Sequence, residues 1–314
     1  MKMSLFFSTK AHSLLICTLC SLLLQAQTVW AQLNVVTTTE DIASLVRVVG
    51  GKWVNVESLS RGYQDTHFVQ AKPSLMVIVH KADLLIYQGM ELEVGWLPLL
   101  IQGSRNPKVF FGQPGNLDMS LSIDRIEVPQ GALDRSMGDV HAFGNPHYNL
   151  GPSNIKPMIF LITDHLSELD PDHEKQFKSN RNSFIKRFNA RLVEWKRRMA
   201  PFKGRKVVTF HRTWSYFLRE YGMEYIGTLE PVPGIQPSPS HLIQLSQQMK
   251  TESVQLILQA SYYRDKFANL LSNKTGVRVL SLPPGVGGVP EAGDTIKLFD
   301  YLIDKITKAL SENE

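Results

Sequence analysis

One stretch near the middle of the chain constrains the fold more than any other. "DPDHEKQFKSNRNSFIKRFNARLVEWKRRMAPF", residues 170–202, opens with Asp170 in N-cap position, Pro171 at the first helical position and Glu174 close behind, a helix-start signature. Phe177, Phe184, Phe188, Leu192, Trp195 and Met199 then recur at helical spacing. They make one apolar stripe on a helix of about 30 residues, which spans about 45 Å at 1.5 Å per residue. A helix of that length is expected to run along two lobes as a stiff connector.

On each side of it, strands alternate with helices. Before it, "LNVVTTT" reads as a strand, and Thr39 caps a helix from Glu40 with Ile42, Leu45, Val46 and Val49 on one face. Gly50 and Gly51 stop that helix. "VNVESLS" is a second strand, "SLMVIVHKA" an amphipathic piece, "DLLIYQG" a third strand, and "GPSNIKPMIFLITDHLSELD" a helix. After Gly204 the pattern restarts. "KVVTF", "MEYIGTLE", "VQLILQA" and "VRVLSL" read as strands, separated by helices, one of them capped by Ser238 or Ser240. Such alternation predicts parallel sheets covered on both faces. At 314 residues the chain is too long for one ordinary core. The expected organisation is an α/β fold of two lobes with parallel-type sheets: an N-terminal lobe at 32–169, the linking helix at 170–203 and a C-terminal lobe at 204–314. The two lobes are not detectable sequence repeats.

Residues 1–31 read as a secretory signal peptide. Lys2 and Lys10 give a basic start, "SLLICTLCSLLLQA" the apolar run, and Val29 and Ala31 the small residues before a cut. The apolar run is short for a membrane span. Lipid attachment at Cys20 is a rival, although the residues before it match that context poorly. The expected location is periplasmic or otherwise extracytoplasmic. Cys17 and Cys20 are the only cysteines and both precede the cut, so the mature chain would use neither disulfides nor thiolate ligands, and any metal site must use His and carboxylates. Processing leaves 32 basic against 29 acidic side chains. That balance, with no basic stripe interleaved with aromatics, argues against nucleic acid as a partner.

The histidines fall into two groups. His80 lies in an apolar run and reads as a core or edge residue; His165, His173 and His241 sit on helices or helix starts, where surface placement is the default. His67 follows a strand, His147 stands in the proline-flanked turn "GNPHYNLGPSN", and His211 directly follows "KVVTF". In parallel α/β sheets ligands bind beyond the strand C-termini, so these three are expected to converge on one cleft between the lobes. Imidazole is the commonest metal ligand and suits zinc.

The sequence resembles the zinc- and manganese-binding cluster of ABC-transporter solute-binding proteins over nearly all of the mature chain. "DTHFVQAKPS" resembles that family's Asp-Pro-His followed by a Pro-Ser pair. "KADLLIYQGMELE" resembles its Ala-Asp strand ending in Gly and Glu, and "NPHYNLGPSN" its Asp-Pro-His turn. "VVTFHRTWSYFLREYGM" resembles its strand, His and Tyr-Phe helix, and "PSPSHLIQL" the loop that opens its C-lobe helix. The resemblance implies His67, His147 and His211 as metal ligands. The family's fourth ligand is usually a C-lobe carboxylate, whereas "LSLPPGVGGVP" has no acid and Ala260 stands at the other candidate position. Asn145 and Asn149 replace the family's Asp and Trp, and residues 112–138 contain no histidine. His141, Glu230 or water are left to complete the site.

The function implied is an extracytoplasmic receptor, not an enzyme and expected to be a monomer. It would capture a divalent transition metal and hand it to an ABC-transporter membrane permease. Zn(II) is expected over Mn(II), since manganese sites favour oxygen ligands. A zinc hydrolase is one rival, because three histidines with an open position also describe catalytic zinc. No His-Glu-x-x-His motif or nearby base accompanies them. An adhesin-like surface protein is the other rival, and no motif argues for it.

Overall fold

The computed structural model describes residues 32–131 and 141–312. The signal-peptide reading of residues 1–31, with both cysteines and His12, lies outside them. Eight strands are described: β1 Leu33–Thr37, β2 Val54–Ser58, β3 Leu84–Tyr87, β4 Asn116–Asp118, β5 Lys206–Thr209, β6 Glu224–Thr228, β7 Leu256–Ala260 and β8 Arg278–Leu282. They form two four-stranded sheets of the same order, β2-β1-β3-β4 and β6-β5-β7-β8, parallel throughout.

The helices are α1 Glu40–Gly50, α2 Pro73–His80, α3 Leu97–Ser104, α4 Ile155–Leu169, α5 Glu174–Met199, α6 Ser215–Tyr221, α7 Pro239–Thr251, α8 Lys266–Thr275 and α9 Thr295–Ser311. Local chemistry sets their ends where the sequence indicated. The Thr39 side chain accepts from the Ile42 N–H at 3.3 Å, and α1 ends at Gly51 with φ 54, a conformation glycine adopts without cost. Ser238 caps α7 by accepting from the His241 N–H. Among the described residues no helix is long and apolar enough to cross a membrane.

The long helix α5 joins the two lobes, flanked by 3₁₀ turns at Pro171–His173 and Ala200–Phe202. Its stripe is buried at Phe177, Phe184, Phe188, Trp195 and Met199, with Leu192 partly covered. It packs on α1, α4 and α9, and Trp195 Nε1 donates to Asp300 Oδ1 of α9 at 2.7 Å. Asp170 is not a backbone cap here: its carboxylate pairs with His173 Nδ1 at 2.6 Å, and no side-chain cap bond forms at this helix start. His80, expected in a core or at an edge, is exposed at the end of α2, with Nδ1 2.8 Å from the Ser104 carbonyl.

One apolar cluster runs from the first sheet (Val35, Leu84) through α5 to the second (Val207, Leu258), and a smaller cluster covers the opposite face of each sheet. Adjacent residues Val35 and Val36 point to opposite faces, and both are buried, as a two-sided parallel sheet requires. Residues just past the strand ends of both sheets, Thr39, Ser60 and Gln88 from the first and Tyr262 and Pro284 from the second, line one cleft.

Candidate metal centre

His67 stands in the 3₁₀ turn Thr66–Phe68 that follows β2. Asp65 holds it twice: its carboxylate accepts from the His67 backbone N–H at 3.1 Å and faces the ring Nδ1 at 2.6 Å. Trp96 Nε1 fixes the same turn by donating to the Thr66 carbonyl at 2.9 Å. A carboxylate only accepts, so Nδ1 carries the ring proton and Nε2 is left as the lone-pair nitrogen. His211, at the exit of β5, is oriented in the same way by Glu230 at the exit of β6, with Nδ1 3.0 Å from Glu230 Oε2. This is how carboxylates orient metal-binding imidazoles.

His147 is held through its backbone. The Asn145 side-chain Oδ1 accepts from the His147 N–H at 2.9 Å, and Gln88 Nε2 donates to the Pro146 carbonyl at 2.8 Å. The Tyr148 hydroxyl donates to the Gln88 carbonyl. The ring itself is buried, and its Nε2 has no hydrogen-bond partner. A buried polar atom without a partner is unusual, and a ring nitrogen beside two other imidazoles is what an incoming cation would satisfy.

His67, His147 and His211 come together so that each offers one ring nitrogen within 4.8 Å of the others. Their ring centroids lie 5.2–5.5 Å apart. His141 stands beside this trio, its Nε2 3.3 Å from His67 Nε2. Nitrogens sharing a tetrahedral zinc at about 2.0–2.1 Å lie about 3.3–3.4 Å from one another; the His67–His141 pair has that spacing, but His141 is not within 4.8 Å of every member of the trio. Burial, then the neighbouring imidazoles of His67 and His211, pushes His141 down to about 3. Burial and the other three rings hold His147 well below the usual histidine range. Both are therefore neutral at neutral pH, the form that binds metal.

Glu230 lies on His211 Nδ1 instead of among the converging nitrogens. The two asparagines that depart from the resemblance cross the cleft. Asn145 Nδ2 donates to the Arg212 carbonyl at 2.8 Å, and Asn149 Nδ2 donates to the Pro284 carbonyl at 3.0 Å. An aspartate at 145 could not make the first of these donations. Sequence reading alone missed these roles, and that of Asp65; for Asp65 the signal was there, two residues before a strand-end histidine. His165, His173 and His241 stay outside the cluster, with His173 stacked on Trp53 at 3.7 Å and His241 Nε2 2.9 Å from the Thr228 carbonyl.

Comparison with known proteins shows the family. The chain is 25% identical over 308 residues to the "Zinc-binding lipoprotein AdcA" of Streptococcus pneumoniae, covering 96% of this chain and 61% of that protein. The chain thus spans less than two thirds of that relative. It is 25% identical over 291 residues to the "Iron-binding protein YfeA" of Yersinia pestis, with 89% and 86% covered. A crystal structure of ZnuA superposes with a TM-score of 0.74 at 24% identity, covering 90% of this chain and all of that one, and so shares the fold. Residues 35–309 match the family described as zinc-uptake complex component A, periplasmic. That description agrees with the extracytoplasmic location expected from the sequence, and the chain belongs to this family of extracytoplasmic binding proteins, which are not enzymes.

Proposed function

We propose that this chain is the solute-binding protein of an ABC transporter, that it captures one Zn(II) as cargo on His67, His147, His211 and His141, and that it delivers the ion as a monomer to a membrane permease. The observation that carries the reading is the set of converging ring nitrogens, one of them buried with no partner of its own. The names of relatives do not select a metal, since one is zinc-binding and another iron-binding. The donor set does. Imidazole nitrogens suit zinc, whereas manganese sites favour carboxylate, carbonyl and water oxygens, and here the nearby carboxylates of Asp65 and Glu230 are engaged on Nδ1 atoms.

Metal-free protein titrated with Zn(II), Mn(II) and Fe(II) in competition with a chelator tests the reading. It expects one zinc per chain, bound more tightly than manganese or iron, with four nitrogen neighbours by X-ray absorption. Tighter binding of manganese, or no stoichiometric zinc, would sink it.

A further inference from the structure

His141 is carried by a segment with no helix or strand through residue 147, so something outside that segment must place it. The connection after β3 does so. Gly89, Met90 and Glu91 all have positive φ, at 80°, 51° and 64°. Glycine adopts this region freely, whereas Met and Glu rarely do. Two such residues in succession persist only where their surroundings over-determine them.

The surroundings are specific. Glu93 is buried and anchors the start of the stretch by accepting from the Thr38 hydroxyl at 2.6 Å and from the backbone N–H groups of Gln88 and Gly89 at 2.7 and 3.1 Å. A Cβ on Gly89 would lie 2.0 Å from Asp118 Oδ1, so the chain must pass here without a side chain. The left-handed turn then brings Glu91 against the histidine segment. Glu91 Oε2 accepts from the Ala142 backbone N–H at 2.6 Å. Glu91 thus grips the residue that follows His141.

We propose that Glu91 is a positioning residue that holds His141 within coordinating reach of the bound ion. The fourth ligand is then delivered by a carboxylate staple within the N-terminal lobe and not by an acid of the C-terminal lobe. The inference rests on His141 being a ligand, and the experiment separates the two.

Glu91→Gly removes the staple at a φ that suits glycine, so the backbone is relieved, not strained; Glu91→Gln keeps an oxygen able to accept from Ala142. Zinc affinity should fall about tenfold or more in Glu91→Gly, as for loss of an outer partner of a metal ligand, and stay near wild type in Glu91→Gln. X-ray absorption of the zinc-loaded Glu91→Gly protein should show three nitrogens and one oxygen in place of four nitrogens. Glu91→Gly combined with His141→Ala should bind no more weakly than His141→Ala alone, the non-additivity expected of residues acting as a unit. If His141→Ala weakens binding and Glu91→Gly does not, or if the two losses add, the positioning role is overturned and the ligand stands. If His141→Ala binds zinc like wild type, both are overturned.

Discussion

The two lobes meet across the cleft in two ways that differ in kind. Along one seam the polar groups are mutually satisfied. Asp41 Oδ1 accepts from the Val286 N–H at 3.2 Å, Asn149 donates to the Pro284 carbonyl, and Ser44 Oγ accepts from the Thr295 N–H at 3.2 Å. The chains run so close that a Cβ on Gly62 would lie 1.9 Å from the Val286 carbonyl oxygen. At the histidine cluster the reverse holds: imidazoles from both lobes face one another, and the buried Nε2 of His147 has no partner. The seam holds the lobes together through bonds that need no metal. The cluster is oriented by its own hydrogen bonds, which lowers the cost of ordering when an ion binds. Stability and affinity are therefore expected to respond to different residues.

The largest effect should come from removing a ligand. His67→Ala, His147→Ala and His211→Ala are each expected to weaken zinc by more than about 100-fold, beyond the range seen when an outer partner of a ligand is lost. Thermal unfolding of the metal-free variants should move far less than their affinities, measured by chelator competition. Wild-type affinity in all three would remove the site from this cleft.

Acid should loosen the cluster next. Protons compete with metal for imidazole, and a histidine at its reference pKa of about 6.5 loses about tenfold of its neutral form between pH 7.5 and 5.5. His141, pushed down to about 3, and His147, held well below the usual range, stay neutral across that window. Zinc affinity is expected to fall as pH drops from about 7.5 to 5.5, with His141 and His147 taking no part in the proton competition. A flat affinity over that range would argue against imidazole ligands.

Local patterns were legible because they are written in neighbouring residues: the α5 stripe, the Thr39 cap, the glycine stop at Gly51, and three histidines at element ends. Strand β4 was not, since its three residues, Asn116–Asp118, carry no period and its pairing with β3 is non-local. Helix α3 went unread as well. The common strand order of the two sheets leaves no trace in sequence, because it is a property of which strands pair. At the site, the histidines could be named, but the donors that hold them could not. Asn145 reaches Arg212 and Asn149 reaches Pro284, contacts between residues far apart in the chain. Read locally, both looked only like departures from a familiar turn.

The seam has its own pH signature. Burial raises the Asp41 carboxyl to about 6 from 3.8. Between those values the folded chain keeps a proton that the unfolded chain releases, so stability is lost as pH rises through the window, and the loss is complete above about pH 6. The shift corresponds to roughly 3 kcal/mol. Asp41→Asn cannot ionise. Its stability relative to wild type, by denaturant unfolding of metal-free protein, is expected to rise by about that much from pH 4 to pH 7. A difference that does not change with pH would place the Asp41 carboxyl in contact with solvent.

The smallest effect is the sharpest test of the division between seam and site. The N–H of Thr295 is at the first position of α9, among the four donors that a helix start leaves without an intrahelical partner. Ser44 of α1 meets it, and its hydroxyl also lies 3.1 Å from Thr295 Oγ1. Both residues are buried, so Ser44→Ala leaves a donor unsatisfied, at about 1–3 kcal/mol. Alanine is the better helix former in mid-helix by roughly 0.5 kcal/mol, which offsets part of that. A net loss of about 1 kcal/mol corresponds to a drop in Tm of about 2–4 °C for a chain of this size. Zinc affinity should stay within about twofold of wild type, because Ser44 touches none of the four histidines or the groups that orient them. A tenfold loss of affinity with so small a loss of stability would mean that the seam sets the geometry of the site, and that the two crossings act as one.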